Sequence, residues 1–283
     1  MMRPMKVLVT GANGMLGTDL VPILAAHGHA VVACGRDALD VTDAAQAKAV
    51  IARERPDVVV HCAAYTNVDG AEADEAAATR LNGEGARHVA EACRAAGAAM
   101  VYVSTDYVFD GQGHAPYATD APVAPLGAYG RSKLAGELAV RETLPAHYVV
   151  RTAWLYGRGG KNFVDTMRAL GRTKPELAVV ADQHGAPTWT VPLAEAIAAL
   201  IMSGRYGTYH ATCQGETTWH ALTERIMALE GLQTPVHAIT TEQLGRPAPR
   251  PRYSVLDTHA LAAAGVAPLP RWEDALAAYL ASA

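Results

Sequence analysis

The sequence carries no excess of positive charge: 24 lysines and arginines stand against 28 aspartates and glutamates, a net charge of −4. A nucleic-acid-binding surface leaves a strongly basic footprint, so no nucleic-acid partner is expected. Small anionic ligands remain open, because helix N-termini and a few arginines hold phosphates without net positive charge. Cysteine is scarce. Cys34, Cys62, Cys93 and Cys213 show neither CxxC spacing nor the density of a disulfide scaffold. Cys34 and Cys62 close apolar runs and read as small buried hydrophobes, and reduced thiols fit a cytoplasmic protein. Long apolar runs are missing too. No stretch reaches the roughly 18 apolar residues of a membrane span. The run Val7–Val9 stops at Thr10-Gly11, too short for the core of a signal peptide. A soluble chain with no membrane partner is expected. No cluster of His, Cys and carboxylates has ligand spacing, so no metal is called for.

What is present is an alternation of short β-branched runs and longer Ala-rich stretches. Lys6–Thr10 reads as a buried strand running into a glycine-rich turn, and Met15–His27 as a helix that Pro22 should kink or rob of a hydrogen bond. Ala30–Cys34, Asp57–Cys62, Ala99–Ser104 and Tyr148–Arg151 continue the strands. Asp43–Glu54, Arg80–Ala96 and Tyr129–Thr143 are the helices between them, with Gly97 a C-cap. Strand–helix–strand repeats with continuously apolar strands predict an α/β fold, a doubly wound parallel sheet with helices on both faces. After Thr152 the pattern breaks into shorter Gly-, Pro- and Thr-rich elements, apart from a helix over Pro192–Met202. The division expected is a dinucleotide-binding Rossmann unit of 1–152 plus 188–208, with a smaller C-terminal substrate lobe of 153–187 plus 209–283.

Ligands of such sheets bind beyond the carboxyl ends of the strands. Gly11, Gly14 and Gly17 follow the first strand there and open a helix. They allow a tight turn, close approach to a pyrophosphate, and helix N–H groups directed at it. At the end of the second strand stands Arg36, with Asp40 following. An arginine at this place suits a 2′-phosphate and an acid suits a free ribose, so Arg36 points to NADPH, with NADH left open.

Tyr129 and Lys133 lie four apart at a helix start and project from one face. A phenol near pKa 10 needs help at neutral pH, and a neighbouring ammonium is expected to lower that value. Ser104-Thr105-Asp106 ends the fourth strand and enters the same cleft.

At these residues the chain resembles the extended short-chain dehydrogenase/reductases. In fuller strings it is similar to one branch, the dTDP-4-dehydrorhamnose reductases. The strings are RPDVVVHCAAYTNVDGAE (55–72), STDYVFDG (104–111), YGRSKLAGE (129–137), RTAWLYG (151–157), NFVDTM (162–167), DQHGAPT (182–188) and RPRYSVLDT (250–258). They cover nearly the whole chain. The resemblance implies reduction of the C4 keto group of dTDP-4-dehydro-L-rhamnose by NAD(P)H. Tyr129 would be the proton donor, Lys133 the cofactor-ribose anchor, and Thr105 a hydrogen-bonding partner of the reacting oxygen. It further implies cofactor contacts at Gly14-Met15-Leu16, Asp40-Val41 and Ala64-Tyr65-Thr66, and substrate contacts at Thr105, Asp106 and Trp154.

Related dehydratases resemble STDEVYG, with an acid pair after the threonine. Here Tyr107 follows Asp106, so simple reduction is the reading with fewest parts. Arg250 and Arg252 flank Pro251 and are candidates for the substrate diphosphate. His184 reads as a structural loop residue, and His61 as a packing residue closing its strand. Two alternatives stand beside the reductase: action on another nucleotide-linked ketosugar, or a non-catalytic subunit resembling the regulatory subunit of methionine adenosyltransferase. A homodimer is left open.

Overall fold

The computed structural model describes residues 4–282; the outer ends of the two expected units, 1 and 283, fall outside them. Five strands, β1 (Lys6–Thr10), β2 (Ala30–Cys34), β3 (Val58–His61), β4 (Ala99–Thr105) and β5 (His147–Thr152), stand in the order β2-β1-β3-β4-β5. A sixth strand, Gly207–His210, closes the far edge beside β5, and every pairing is parallel. The order reverses between β1 and β3, the place where doubly wound sheets open a ligand crevice.

Both faces of the sheet are buried, and the two-residue period of a strand divides its side chains between them. Val7, Val9, Val58, Val60 and Val101 join one core with Leu16, Leu20 and Leu24 of helix Met15–Ala26 and Leu193, Ile197 and Ile201 of helix Thr190–Ser203. Leu8, Val59, Met100 and Tyr102 join the other, against helices Ala44–Glu54, Gly85–Ala96 and Ala128–Thr143. Each fully buried aliphatic side chain of this kind is worth roughly 1.5–3 kcal/mol. Pro22 does not break its helix, which runs through to Ala26. It sits on the exposed side, where the carbonyl it leaves without an N–H partner is open to solvent.

The smaller elements, including helices Phe163–Thr173 and Trp219–Glu230, bury Met167, Leu222 and Ile226 in the first of these cores. The expected boundary at 208 needs correction. It cuts the sixth strand, whose ladder with β5 runs from Gly207–Tyr148 to His210–Arg151, so the sheet includes Tyr209 and His210.

A second departure lies between β3 and β4. Residues without an expected element form helices Val68–Ala73 and Glu75–Thr79, and the expected helix over 80–96 begins with a wide π turn, Arg80–Glu84. Buried Asn82 in that turn accepts from the Tyr65 N–H at 2.8 Å and donates to the Tyr65 carbonyl at 3.0 Å and to Ser132 Oγ at 2.9 Å. Three hydrogen bonds to one buried amide hold the wider winding in place. Among the described residues, no helix is long and apolar enough to cross a membrane.

Candidate active site

The carboxyl ends of β1, β2, β3 and β4 open into one cleft of about 1100 Å³. Gly11 turns the chain out of β1 at φ +62°, and a Cβ on it would lie 2.6 Å from the Ala63 backbone nitrogen. A Cβ on Gly17 would lie 2.5 Å from the Gly11 carbonyl oxygen, so helix Met15–Ala26 sits as close to the turn as glycine allows. Gly14 is the N-cap and brings no capping side chain, which leaves the first-turn N–H groups for a ligand. Met15, Leu16, Ala64, Tyr65 and Thr66 line the same cleft. A glycine cradle at an uncapped helix start, beside the switch point, fits the diphosphate of a dinucleotide.

Past β2, Arg36, Asp40 and Val41 line the far end of the cleft. The Arg36 side chain is 87% exposed, with Nε 3.7 Å from Asp40 Oδ2, so it is free to turn towards a ligand. Hydrogen bonds from Thr42 hold the Asp40 carboxyl below its ordinary value. Arg80, which the sequence reading passed over, lines this end too, giving it two guanidinium groups.

Thr105, Asp106, Tyr129 and Lys133 enter the cleft from β4 and helix Ala128–Thr143. Thr105 donates to Asp106 Oδ1 at 2.9 Å and accepts from the Tyr107 N–H at 3.2 Å. Burial pushes the Asp106 carboxyl up to about 6, and its Oδ2 has no hydrogen-bond partner among the described residues. Lys133 is buried and donates to the Val103 carbonyl at 2.7 Å, with its ammonium 4.2 Å from the centre of the Tyr102 ring. Burial brings it down to about 7, against the opposing pull of Glu137 and Cys62. The Tyr129 phenol departs from expectation. Burial raises its pKa, with Thr105 hydrogen bonding opposing and Asp106 adding to the rise. In this state the phenol is firmly protonated at neutral pH.

Behind Lys133, Glu137 is fully buried and takes the Arg151 guanidinium through Nε at 2.9 Å and Nη2 at 2.7 Å, while Ser104 Oγ donates to it at 2.5 Å. That network pins the end of β4 to the helix carrying Tyr129. Cys62 borders the cleft, and burial raises its thiol to about 12, so it is no nucleophile at neutral pH.

A second cavity of about 400 Å³ adjoins the cleft, and Thr66, Val68, Tyr107 and Trp219 line both. Arg250 lies here rather than in the cleft, with Nη2 2.9 Å from Asp69 Oδ1. Arg246, also unanticipated, stands 3.3 Å from Asp69 Oδ2. Arg252 points elsewhere, exposed and 3.7 Å from Glu242. Trp154 lines the cleft with φ +48°, a strained backbone for a non-glycine residue. Its ring stacks on Trp219 with centroids 3.5 Å apart, which makes an apolar wall between the two spaces. No sequence signal marked Trp219, which reads as one more core aromatic. His184 is exposed and ties loops together through its backbone. His61 does more than pack: its Nδ1 lies 2.8 Å from Thr10 Oγ1, and burial lowers it to about 3, a neutral ring.

A family model described as the RmlD substrate binding domain matches residues 5–283. A dTDP-4-dehydrorhamnose reductase of Streptomyces griseus is 52% identical over 281 residues, covering 97% of this chain and 92% of that protein. A dTDP-4-keto-6-deoxy-D-glucose reductase of Streptomyces niveus is 46% identical, covering 95% and 94%. The crystal structure of dTDP-4-dehydrorhamnose reductase from Bacillus anthracis str. Ames in complex with NADP superposes with a TM-score of 0.97 at 39% identity, covering 99% and 100%. Fold, cleft and kinship together define an NAD(P)H-dependent oxidoreductase. The chain belongs to the dTDP-4-dehydrorhamnose reductase family.

Proposed function

We propose that this protein uses NADPH to reduce the C4 keto group of dTDP-4-dehydro-L-rhamnose (dTDP-6-deoxy-L-lyxo-4-hexulose), giving dTDP-L-rhamnose. The observation that carries the reading is convergence. Thr105, Tyr129 and Lys133 share one cleft with the glycine turn, and that cleft meets the cavity lined by Arg250.

The nicotinamide coenzyme, when bound, supplies a hydride to the sugar C4. The N–H groups at Gly14-Met15-Leu16 receive its diphosphate, Lys133 its nicotinamide ribose, and Asp40-Val41 and Ala64-Tyr65-Thr66 its remaining length. Arg36 takes the 2′-phosphate. As the C4–O π pair moves onto oxygen, Tyr129 gives that oxygen its proton and Thr105 hydrogen-bonds to it. A positioned acid of this kind contributes about 10²–10⁴-fold to rate. Asp106 and Trp154 border the sugar, and Arg250 reaches the nucleotide diphosphate as a charge-assisted donor.

The test is coenzyme oxidation with enzymatically made dTDP-4-dehydro-L-rhamnose. Turnover that falls by about 10²–10⁴-fold in Tyr129→Phe is expected. No oxidation by a protein that binds the coenzyme would overturn the reading. The 46% identity to the reductase of dTDP-4-keto-6-deoxy-D-glucose favours that ketosugar as a second substrate to offer. A higher kcat/KM for it would replace the first choice.

A further inference from the structure

Three carboxylates at spacings of three, Asp69 and Glu72 on the six-residue helix Val68–Ala73 and Glu75 at the start of helix Glu75–Thr79, each hold a different partner around the site. Asp69 takes Arg250 at 2.9 Å, Arg246 at 3.3 Å and the Ala248 N–H at 3.3 Å. Glu72 Oε1 accepts the Ala128 N–H at 2.7 Å. Glu75 accepts from Arg131 through bonds of 2.7 and 2.8 Å. Ala128 is the first residue of the helix whose next residue is Tyr129, and that helix has only Gly127 as its own N-cap. Glu72 therefore fills the capping place from another element, with a negative charge at the positive end of the helix. A Cβ on Gly127 would lie 2.6 Å from Glu72 Oε1, so glycine there keeps the place open. Ala71 packs in one small apolar cluster with Ala128 and the Tyr129 ring.

We propose that Glu72 is a positioning residue for the proton donor, fixing through the Ala128 N–H the helix start that aims Tyr129 into the cleft. Through Asp69 the same short helix sets that start against Arg250. The inference rests on Tyr129 being the donor.

The experiment compares steady-state kinetics of the full chain with Glu72→Ala, Glu72→Gln, Tyr129→Phe and the double change Tyr129→Phe/Glu72→Ala. A small misplacement of a reacting group is costly, so Glu72→Ala should lower kcat about tenfold or more while coenzyme affinity stays within about twofold. Glu72→Gln keeps an oxygen for the Ala128 N–H and should restore kcat to within about threefold. The double variant should be no slower than Tyr129→Phe alone, because Glu72 acts through that phenol. Normal kcat in Glu72→Ala beside a crippled Tyr129→Phe would overturn the inference and leave the donor standing. A full-strength Tyr129→Phe would instead remove the donor itself. Multiplying losses in the double variant would also overturn the inference, as would equal losses in Ala and Gln. If Glu72→Ala fails to fold, Glu72→Asp replaces it. Its carboxylate falls short of Ala128, so it should be slower than Glu72→Gln, and the reverse order would refute the role.

Discussion

Lys133 donates from its buried ammonium to the carbonyl oxygen of Val103 at 2.7 Å, placing a charged group against the end of β4 inside the cleft. Burial brings its pKa from 10.5 to about 7. The folded state therefore releases this proton before the unfolded chain does. The folded protein bears the cost of the buried charge below about pH 7, and stability rises between there and the ordinary value. Lys133→Met should be more stable than the parent by on the order of a few kcal/mol near pH 6, with the gain fading towards pH 10, while losing turnover. Urea denaturation across that range checks it, and a pH-independent difference would contradict it.

Asp106 carries the opposite sign of charge. Its pKa rises from 3.8 to about 6 through burial. Its favourable contribution is full below about 3.8 and is lost as pH climbs through about 6. Asp106→Asn should stabilise the fold by on the order of 2 kcal/mol at neutral pH, with no gain near pH 4. Thermal melts at the two pH values measure it. An unchanged neutral-pH melt would show that the carboxylate is compensated.

At the far end of the cleft, Arg36→Ala should raise KM for NADPH about tenfold or more and barely move KM for NADH, because only the former has a 2′-phosphate for a guanidinium. Arg80→Ala should act in the same direction more weakly. Equal losses with both coenzymes would remove the 2′-phosphate assignment.

Two ion pairs beside the same helix should differ widely in worth. Glu137 and Arg151 are 0% and 2% exposed, so Glu137→Ala strands a buried guanidinium and should cost about 3–5 kcal/mol in denaturant titrations. Glu75 and Arg131 are 46% and 44% exposed, and breaking that pair should cost under about 1 kcal/mol.

The cofactor end was legible in the sequence because its parts are local: β1, the turn at Gly11 and the helix from Met15 follow one another within a few residues. The strands were legible because residues such as Val7, Leu8 and Val9 are all apolar, as burial on both faces demands. Tyr129 and Lys133 were legible as a helical pair, but spacing says nothing of where an ammonium finds its acceptor. That Lys133 bonds Val103, and that burial raises the Tyr129 phenol, are tertiary facts. The Arg250–Asp69 pair was hidden for the same reason, its partners lying 181 positions apart. The π turn was hidden because Asn82 looks like any polar residue in a helix until its buried partners are known.

That π turn gives the chain a place to take up length in its winding. The segment seats one residue more than α winding would over the same span, and the helical run from Glu75 to Ala96 stays continuous through it. The surplus is taken up in the winding, so Glu75 keeps its place against Arg131 on one side of the turn while Val89 and Cys93 stay in the core on the other. An α-helix forced to carry the same surplus would turn one of those faces away by roughly 100°. A deletion here would spare the aim of both halves and cost instead the tie that the Asn82 amide makes to Tyr65 and Ser132.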